Sequence, residues 1–260
     1  MTRPTYQISD GFLLRLQYVV AVQPEPEEGV RKSAGFVTKA VTISVDGGRQ
    51  VSGLLQSAAN PQACYVVAHG AGAGMTHPFM ADTADGLAER GIDTLRYQFP
   101  FIENRQRRPD VPAVAHATVR AAVAEASRQL PGLALFAGGK SFGGRMTSQA
   151  QAQSPLPGVR GLVFLGFPLH APGHPSEERA DHLFGVQIPL LFVQGTRDEF
   201  ADTALLKRVV EKLGKRATLH LFEDADHSFH VPKRTGRTDS DIRAAMFNTM
   251  AAWVKAVLGS

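Results

Sequence analysis

The chain has 260 residues, of which 43% are hydrophobic and 20% are charged, and its net charge is +4 with histidines neutral. These proportions are typical of a globular protein and exclude a mostly disordered chain, a collagen-like chain and a multi-span membrane protein. The single cysteine, Cys64, excludes an internal disulfide framework and a zinc site built on several thiolates, and it fits a reducing cytoplasm.

The N-terminal segment, residues 1–35, is interpreted as an extension to one domain spanning residues 36–260. Its longest apolar run, Gly11–Val22, is interrupted by Arg15 and is too short to cross a bilayer. We expect neither a membrane span nor a secretory signal peptide, because a basic start and a cleavage site are both missing. The mild positive charge, with no long basic tract, argues against a nucleic-acid partner. The sequence specifies no oligomeric state.

Strands and helices alternate after an opening hairpin. Phe36–Val45 and Val51–Ser57 are predicted strands because they flank the turn signal at Asp46-Gly47-Gly48. Short apolar runs bounded by glycine or proline predict further strands at Cys64–His69, Asp93–Gln98, Leu133–Ala137, Gly161–Leu165, Pro189–Gln194 and Ala217–Phe222. Longer amphipathic stretches predict helices at Pro78–Arg90, Val111–Arg128, Phe142–Gln153, Ser176–Phe184, Thr203–Leu213 and Asp239–Leu258.

This alternation predicts an α/β fold. Continuous apolar strands joined by helices form a mostly parallel sheet with helices on both faces. In such sheets, ligands bind beyond the carboxyl ends of the strands. Residues that directly follow a strand are therefore the first candidates for chemistry.

The strongest motif is G-x-S-x-G at Gly139–Gly143, between a predicted strand and a predicted helix. The tight turn projects the Ser141 hydroxyl at a helix N-terminus, where the backbone N–H of Phe142 can bind developing negative charge. Gly139-Lys140-Ser141 also resembles the end of a phosphate-binding loop. That reading is disfavoured because Ala134 occupies the position of the first glycine in that motif.

A serine nucleophile needs a base and an acid that orients it. Asp198 and His227 follow the last two predicted strands, Pro189–Gln194 and Ala217–Phe222, in the chain order Ser…Asp…His. His227 would accept the proton of Ser141, and Asp198 would hold the imidazole. The alternatives are an uninvolved loop histidine and an Asp198 that caps the next helix, although Asp202 is better placed as a cap. Glu199, Asp224 and Asp226 are alternative acids.

A glycine-rich loop after Cys64–His69 offers an oxyanion hole. The small residues allow a close backbone approach, so the N–H of Ala71, or else that of Gly72, could complement Phe142. The alternative is a generic glycine-rich turn. His69 is expected to hold this loop in place.

Substrate-binding candidates lie in the loop after Asp93–Gln98. Arg105, Arg107 and Arg108 could bind a carboxylate or phosphate, and the alternative is a solvated loop. Met75 and Phe101, with Phe142 and Phe167, are candidate walls of an apolar pocket or residues of the core.

Together, His-Gly-Ala-Gly-Ala-Gly (69–74), Gly-Lys-Ser-Phe-Gly-Gly (139–144), Gly-Thr-Arg-Asp (195–198) and Asp-Ala-Asp-His (224–227) resemble the α/β-hydrolase superfamily. Within it, residues 36–260 are similar to a bacterial branch related to dienelactone hydrolases. Those enzymes use a cysteine nucleophile where this chain has Ser141, so their substrate is not carried over. The resemblance implies an eight-stranded, mostly parallel sheet and no metal or organic cofactor. Residues 166–188 leave room for only one short helix, so no large cap domain is expected.

These features predict a serine hydrolase that cleaves small ester or thioester substrates through an acyl-enzyme. Two alternatives stay open: a non-enzymatic protein-interaction module on the same scaffold, and an acyltransferase that uses an acceptor other than water.

Overall fold

A computed structural model describes residues 31–33 and 36–259 of the chain. Its strands are β1 (Arg31–Ser33), β2 (Phe36–Val45), β3 (Arg49–Ser57), β4 (Ala63–Ala68), β5 (Ile92–Tyr97), β6 (Ala134–Lys140), β7 (Val159–Leu165), β8 (Leu190–Gly195) and β9 (Ala217–Phe222). They form one sheet in the order β1-β2-β3-β5-β4-β6-β7-β8-β9. The first three strands are antiparallel to their neighbours, and all pairs from β5 to β9 are parallel.

The helices cover both faces of this sheet. The α-helices are α1 (Pro78–Ala88), α2 (Pro100–Glu103), α3 (Pro112–Gln129), α4 (Phe142–Gln153), α5 (Thr203–Leu213) and α6 (Asp239–Leu258). Short 3₁₀ helices occur at Glu178–Gly185, Gly214–Arg216 and Lys233–Thr235. No helix in the described part of the chain is both long and apolar enough to cross a membrane.

The core has two layers because successive side chains of a strand point to opposite faces. On β4, Cys64 and Val66 pack in the layer under α3, α4 and α5, whereas Tyr65 and Val67 pack in the layer under α1 and α6. Every residue of β4 is buried. Burial inside the sheet raises the pKa of the Cys64 thiol, which stays uncharged. The predicted α/β fold is confirmed.

The end of the segment 1–35, which was interpreted as an extension, takes part in the sheet. Arg31–Ser33 pair antiparallel with β2 and add an edge strand to the sheet, so there are nine strands where the resemblance implied eight. The predicted apolar run Gly11–Val22 lies outside the described residues.

Two local predictions differ from the structure. The strand predicted to end at Ala137 continues to Lys140, because Gly138 and Gly139 stay extended and pair with β7. The short helix α2 follows β5 directly and was not predicted. The predicted short helix after β7 is present as the 3₁₀ helix Glu178–Gly185, and no large cap is inserted there.

The sheet order fixes where a ligand can bind. From β4 the chain crosses to β5 on one side, and it later enters β6 on the other side of β4. Crevices in open α/β sheets form at such a change of direction, at the carboxyl ends of the strands. The loop after β4 and the turn after β6, which carries Ser141, meet at this point.

Candidate active site

Ser141 sits on a strained turn between β6 and α4. Its backbone has φ 49° and ψ −114°, and its side chain caps no helix N–H, so the hydroxyl is free for another partner. A Cβ on Gly139 would lie 2.3 Å from the carbonyl oxygen of Ala68, and one on Gly143 would lie 2.5 Å from that of His69. Both glycines are therefore required by the close approach of β4 to the turn.

Three predicted residues are joined by hydrogen bonds. Ser141 Oγ lies 2.9 Å from His227 Nε2, and His227 Nδ1 lies 2.7 Å from Asp198 Oδ2. A carboxylate only accepts hydrogen bonds, so Nδ1 carries the proton and Nε2 is left to accept from the serine hydroxyl. The Asp198 side chain is fully buried, whereas His227 is one-fifth exposed. The three residues follow β6, β8 and β9, as the sequence predicted.

Asp198 is held by more than the histidine. Its Oδ2 also accepts from the Gln194 amide at 2.6 Å, and its Oδ1 accepts from the backbone N–H of Phe200 at 2.8 Å. The helix cap that competed with Asp198 in the sequence is Asp202, which accepts from Leu205 N–H. Asp198 is therefore free to orient His227.

The His227 loop is shaped by Asp226. Its Oδ1 accepts from the backbone N–H groups of Ser228 and His230, so this carboxylate closes the loop rather than bonding the His227 ring. Of the other alternative acids, Asp224 pairs with Arg234. On the open side, the Phe200 ring packs against the imidazole with centroids 4.4 Å apart.

The loop after β4 passes close to the serine. Gly70 is near enough that a Cβ there would lie 3.9 Å from Ser141 Cβ, and Ala71 and Gly72 face the same cavity as Ser141. Within the described part of the chain, no hydrogen bond engages the backbone N–H of Ala71, Gly72 or Phe142. These donors are available to an anionic oxygen at Ser141.

His69 anchors this loop, as expected. It is fully buried, its Nδ1 donates to the Gly70 carbonyl at 2.7 Å, and its Nε2 accepts from Phe99 N–H at 3.0 Å. Burial lowers the pKa of His69 to about 4, so the ring is neutral at pH 7.

Comparison with known proteins shows the family of this chain. The family profile described as an alpha/beta hydrolase domain matches residues 61–255. The chain belongs to the alpha/beta hydrolase family.

Solved structures of similar fold include three enzymes. An α/β serine hydrolase without a lid from Xanthomonas campestris is 24% identical, with 83% of this chain and 94% of that chain covered and a TM-score of 0.66. A dienelactone hydrolase from Anabaena variabilis is 21% identical (85% and 98% covered, TM-score 0.69), and an esterase domain from Rhodothermus marinus is 17% identical (84% and 98% covered, TM-score 0.64). At these identities the likeness establishes the fold.

A cavity of about 560 Å³ opens above Ser141 in this alpha/beta hydrolase. Its apolar walls are Phe79 and Met80 at the start of α1 and Phe200 beside the histidine. Arg243 and Asp82 also line it and face each other at 3.4 Å across α6 and α1. Phe79 and Phe200 were not singled out from the sequence.

The predicted pocket walls are not at this cavity. Phe101, on α2, is fully buried and packs against His69, Phe99 and Phe142. Met75 is also buried, and its backbone N–H donates to Gln98 Oε1. Phe167 lies in the core.

The arginine loop is not at the cavity either. Arg105, Arg107 and Arg108 are exposed and none of them lines it. Glu103, at the end of α2, accepts hydrogen bonds from both N–H and Oγ of Ser52 on β3. The start of the loop is thus held to β3, which β5 and β4 separate from β6.

Proposed function

We propose that this chain is a serine hydrolase that cleaves small ester or thioester substrates through an acyl-enzyme on Ser141. One observation carries the proposal: Ser141, His227 and Asp198 are linked by two hydrogen bonds of 2.9 and 2.7 Å at the edge of the sheet where a cavity opens. A hydroxyl, a base within reach and a third group that orients the base form the arrangement that nucleophilic catalysis requires.

In the first step, Ser141 Oγ attacks the carbonyl carbon of the substrate while His227 Nε2 accepts the hydroxyl proton. The buried Asp198 carboxylate stabilises the imidazolium that results. The carbonyl oxygen becomes anionic and accepts hydrogen bonds from the backbone N–H groups of Phe142 and Ala71 or Gly72. Such donors, fixed before reaction, stabilise charge that develops only in the transition state.

The intermediate then collapses. The bond from carbon to the leaving oxygen or sulfur breaks, His227 donates its proton to the leaving group, and the acyl group stays on Ser141. A water molecule repeats the attack with His227 again as base, which releases the acid and restores Ser141. The balanced reaction is ester or thioester plus water to carboxylic acid plus alcohol or thiol.

The cavity supports small, partly apolar substrates. About 560 Å³ accommodates a small organic molecule, and the aromatic walls at Phe79 and Phe200 favour an apolar group on it. The connection between β7 and β8 holds only the 3₁₀ helix Glu178–Gly185, so no large cap covers a long acyl chain.

The test combines turnover with covalent labelling. The pure protein is assayed with short-chain p-nitrophenyl esters and thioesters and is exposed to a fluorophosphonate probe. Ser141→Ala should abolish both hydrolysis and labelling. Ser44→Ala is the matched control, because Ser44 is an exposed serine on β2 that does not line the cavity, and it should retain both. Hydrolysis and labelling that survive Ser141→Ala would overturn the proposal, as would a folded wild type that the probe never labels.

A further inference from the structure

The side chain of Lys140 borders the cavity and is only partly exposed. Lys140 directly precedes Ser141, and its Nζ lies 5.9 Å from the ring centroid of Phe79 and 5.3 Å from that of Phe229, two parallel rings whose centroids are 6.0 Å apart. Its ammonium donates a hydrogen bond to the backbone carbonyl of His227. One side chain therefore ties the serine turn to the histidine loop.

The ammonium also lies beside the histidine–aspartate pair. A Cβ placed on Gly166 would be 2.8 Å from Lys140 Nζ, 3.3 Å from His227 Nδ1 and 3.4 Å from Asp198 Oδ2. The point that a Cβ of residue 166 would occupy therefore borders all three groups. It is empty because residue 166 is a glycine, which has a left-handed φ of 69°. Packing this tight leaves the three side chains little freedom to move relative to one another.

We propose that Lys140 is a positioning residue: its hydrogen bond to the backbone carbonyl of His227 fixes the His227 loop against the serine turn. The proposal rests on the proposed function for its catalytic consequences, but the contact itself is independent of any substrate.

The charge of the Lys140 amine depends on the groups around it. The charged and titratable groups around the ammonium are Asp198 from the loop after β8, and Asp226 and His227 from the loop after β9. The α1 side contributes the Phe79 ring. Burial lowers the pKa of Lys140 to about 8, against the opposing pull of the two carboxylates, so the ammonium is charged at neutral pH and discharges above it.

Two variants separate position from charge. Lys140→Met keeps the length and apolar packing of the stem but removes the donor and the charge, whereas Lys140→Arg keeps a donor and a permanent charge. Lys207→Met is the matched control, because Lys207 is an exposed lysine on α5. Each variant is checked for folding by circular dichroism and thermal unfolding.

The first measurement needs no substrate. We expect Lys140→Met to speed amide exchange in residues 227–230, because the loop loses the hydrogen bond that ties it to the serine turn. Identical exchange in Lys140→Met and wild type would overturn the proposal whether or not the protein is an esterase.

The second measurement is the pH–rate profile with a short-chain ester. Lys140→Met should lower kcat about tenfold with little change in KM, because positioning and not binding is lost. Lys140→Arg should recover most of kcat, because it keeps a donor. Wild type should lose activity as pH rises through about 8, the pKa of Lys140, whereas Lys140→Arg should not. If Lys140→Met does not fold, equal alkaline profiles of wild type and Lys140→Arg overturn the proposal.

Discussion

The amide nitrogen of Gln194 lies 2.6 Å from Oδ2 of Asp198, the same oxygen that accepts from His227. Gln194 is fully buried, and its Oε1 in turn accepts from the backbone N–H of Phe167 at 2.8 Å. The other oxygen, Oδ1, accepts from the backbone N–H of Phe200. Both oxygens of the carboxylate are thus held by donors other than His227.

Replacement of Gln194 by leucine should therefore weaken catalysis more than binding. Asp198 would keep one backbone donor but lose the amide that sets its orientation, and we expect kcat to fall about tenfold with KM unchanged. The unpaired Phe167 N–H should cost about 1–3 kcal/mol of unfolding free energy. Steady-state kinetics and urea unfolding measure the two effects. Gln187→Leu, at an exposed glutamine, is the control, and equal kcat in both variants would contradict the prediction.

Gly143→Ala should disrupt the serine turn. The new Cβ would sit 2.5 Å from the carbonyl oxygen of His69, which is backbone and cannot swing away. We expect a loss of fluorophosphonate labelling of at least about a hundredfold and a lower melting temperature, because β4 and α4 must separate.

Gly185→Ala is the control for that substitution, since nothing lies within 4 Å of the corresponding Cβ and its φ is not left-handed. It should melt and label as the wild type does. Normal labelling of Gly143→Ala would show that the turn does not need the close approach.

The free energy of unfolding should decrease on acidification, because His69 is buried in its neutral form. Its pKa drops from 6.5 to about 4 on folding, so its contribution is complete above pH 6.5 and is lost progressively as pH falls toward 4. The total is on the order of 3 kcal/mol. The destabilisation caused by His69→Gln, measured by urea unfolding at several pH values, should be largest above pH 6.5 and should shrink toward pH 4. The exposed His174→Gln serves as control, and a pH-independent effect of His69→Gln would refute the assignment.

Phe200→Ala should change chain-length preference. The ring lines the cavity and packs on His227, so its removal enlarges the cavity and loosens the base. Activity on p-nitrophenyl acetate should fall, and the ratio of kcat/KM for octanoate over acetate should rise about tenfold, the worth of one to two buried methylenes. Phe184→Ala, at an exposed phenylalanine, should leave the ratio unchanged. A ratio that stays constant in Phe200→Ala would place the acyl chain elsewhere.

Much of the fold and the placement of Ser141, Asp198 and His227 could be predicted because they follow from periodicity and topology. Parallel strands place their carboxyl ends along one edge, so polar residues after strands converge there. The catalytic role of the three residues stays a prediction.

The surroundings could not be predicted in the same way. Lys140, Phe79 and Phe200 reach the site through contacts between segments far apart in sequence, which no local pattern encodes. Gln194 did leave a signal: it is a polar residue that ends the otherwise apolar run Leu190–Val193. The prediction for Arg105 and its neighbours was wrong, and the hydrogen bond that Ser52 donates to Glu103 at the start of their loop has no signature in the sequence.

The enclosure of Cys64 inside the sheet has a practical consequence. The chain has no other cysteine, and this thiol is fully buried and held uncharged. Alkylating reagents should therefore leave the folded protein unmodified and react only on unfolding. Because Cys64 does not react, a Ser141→Cys variant would have one accessible thiol, placed beside His227. The rate at which this thiol is alkylated would report on how well His227 accepts its proton.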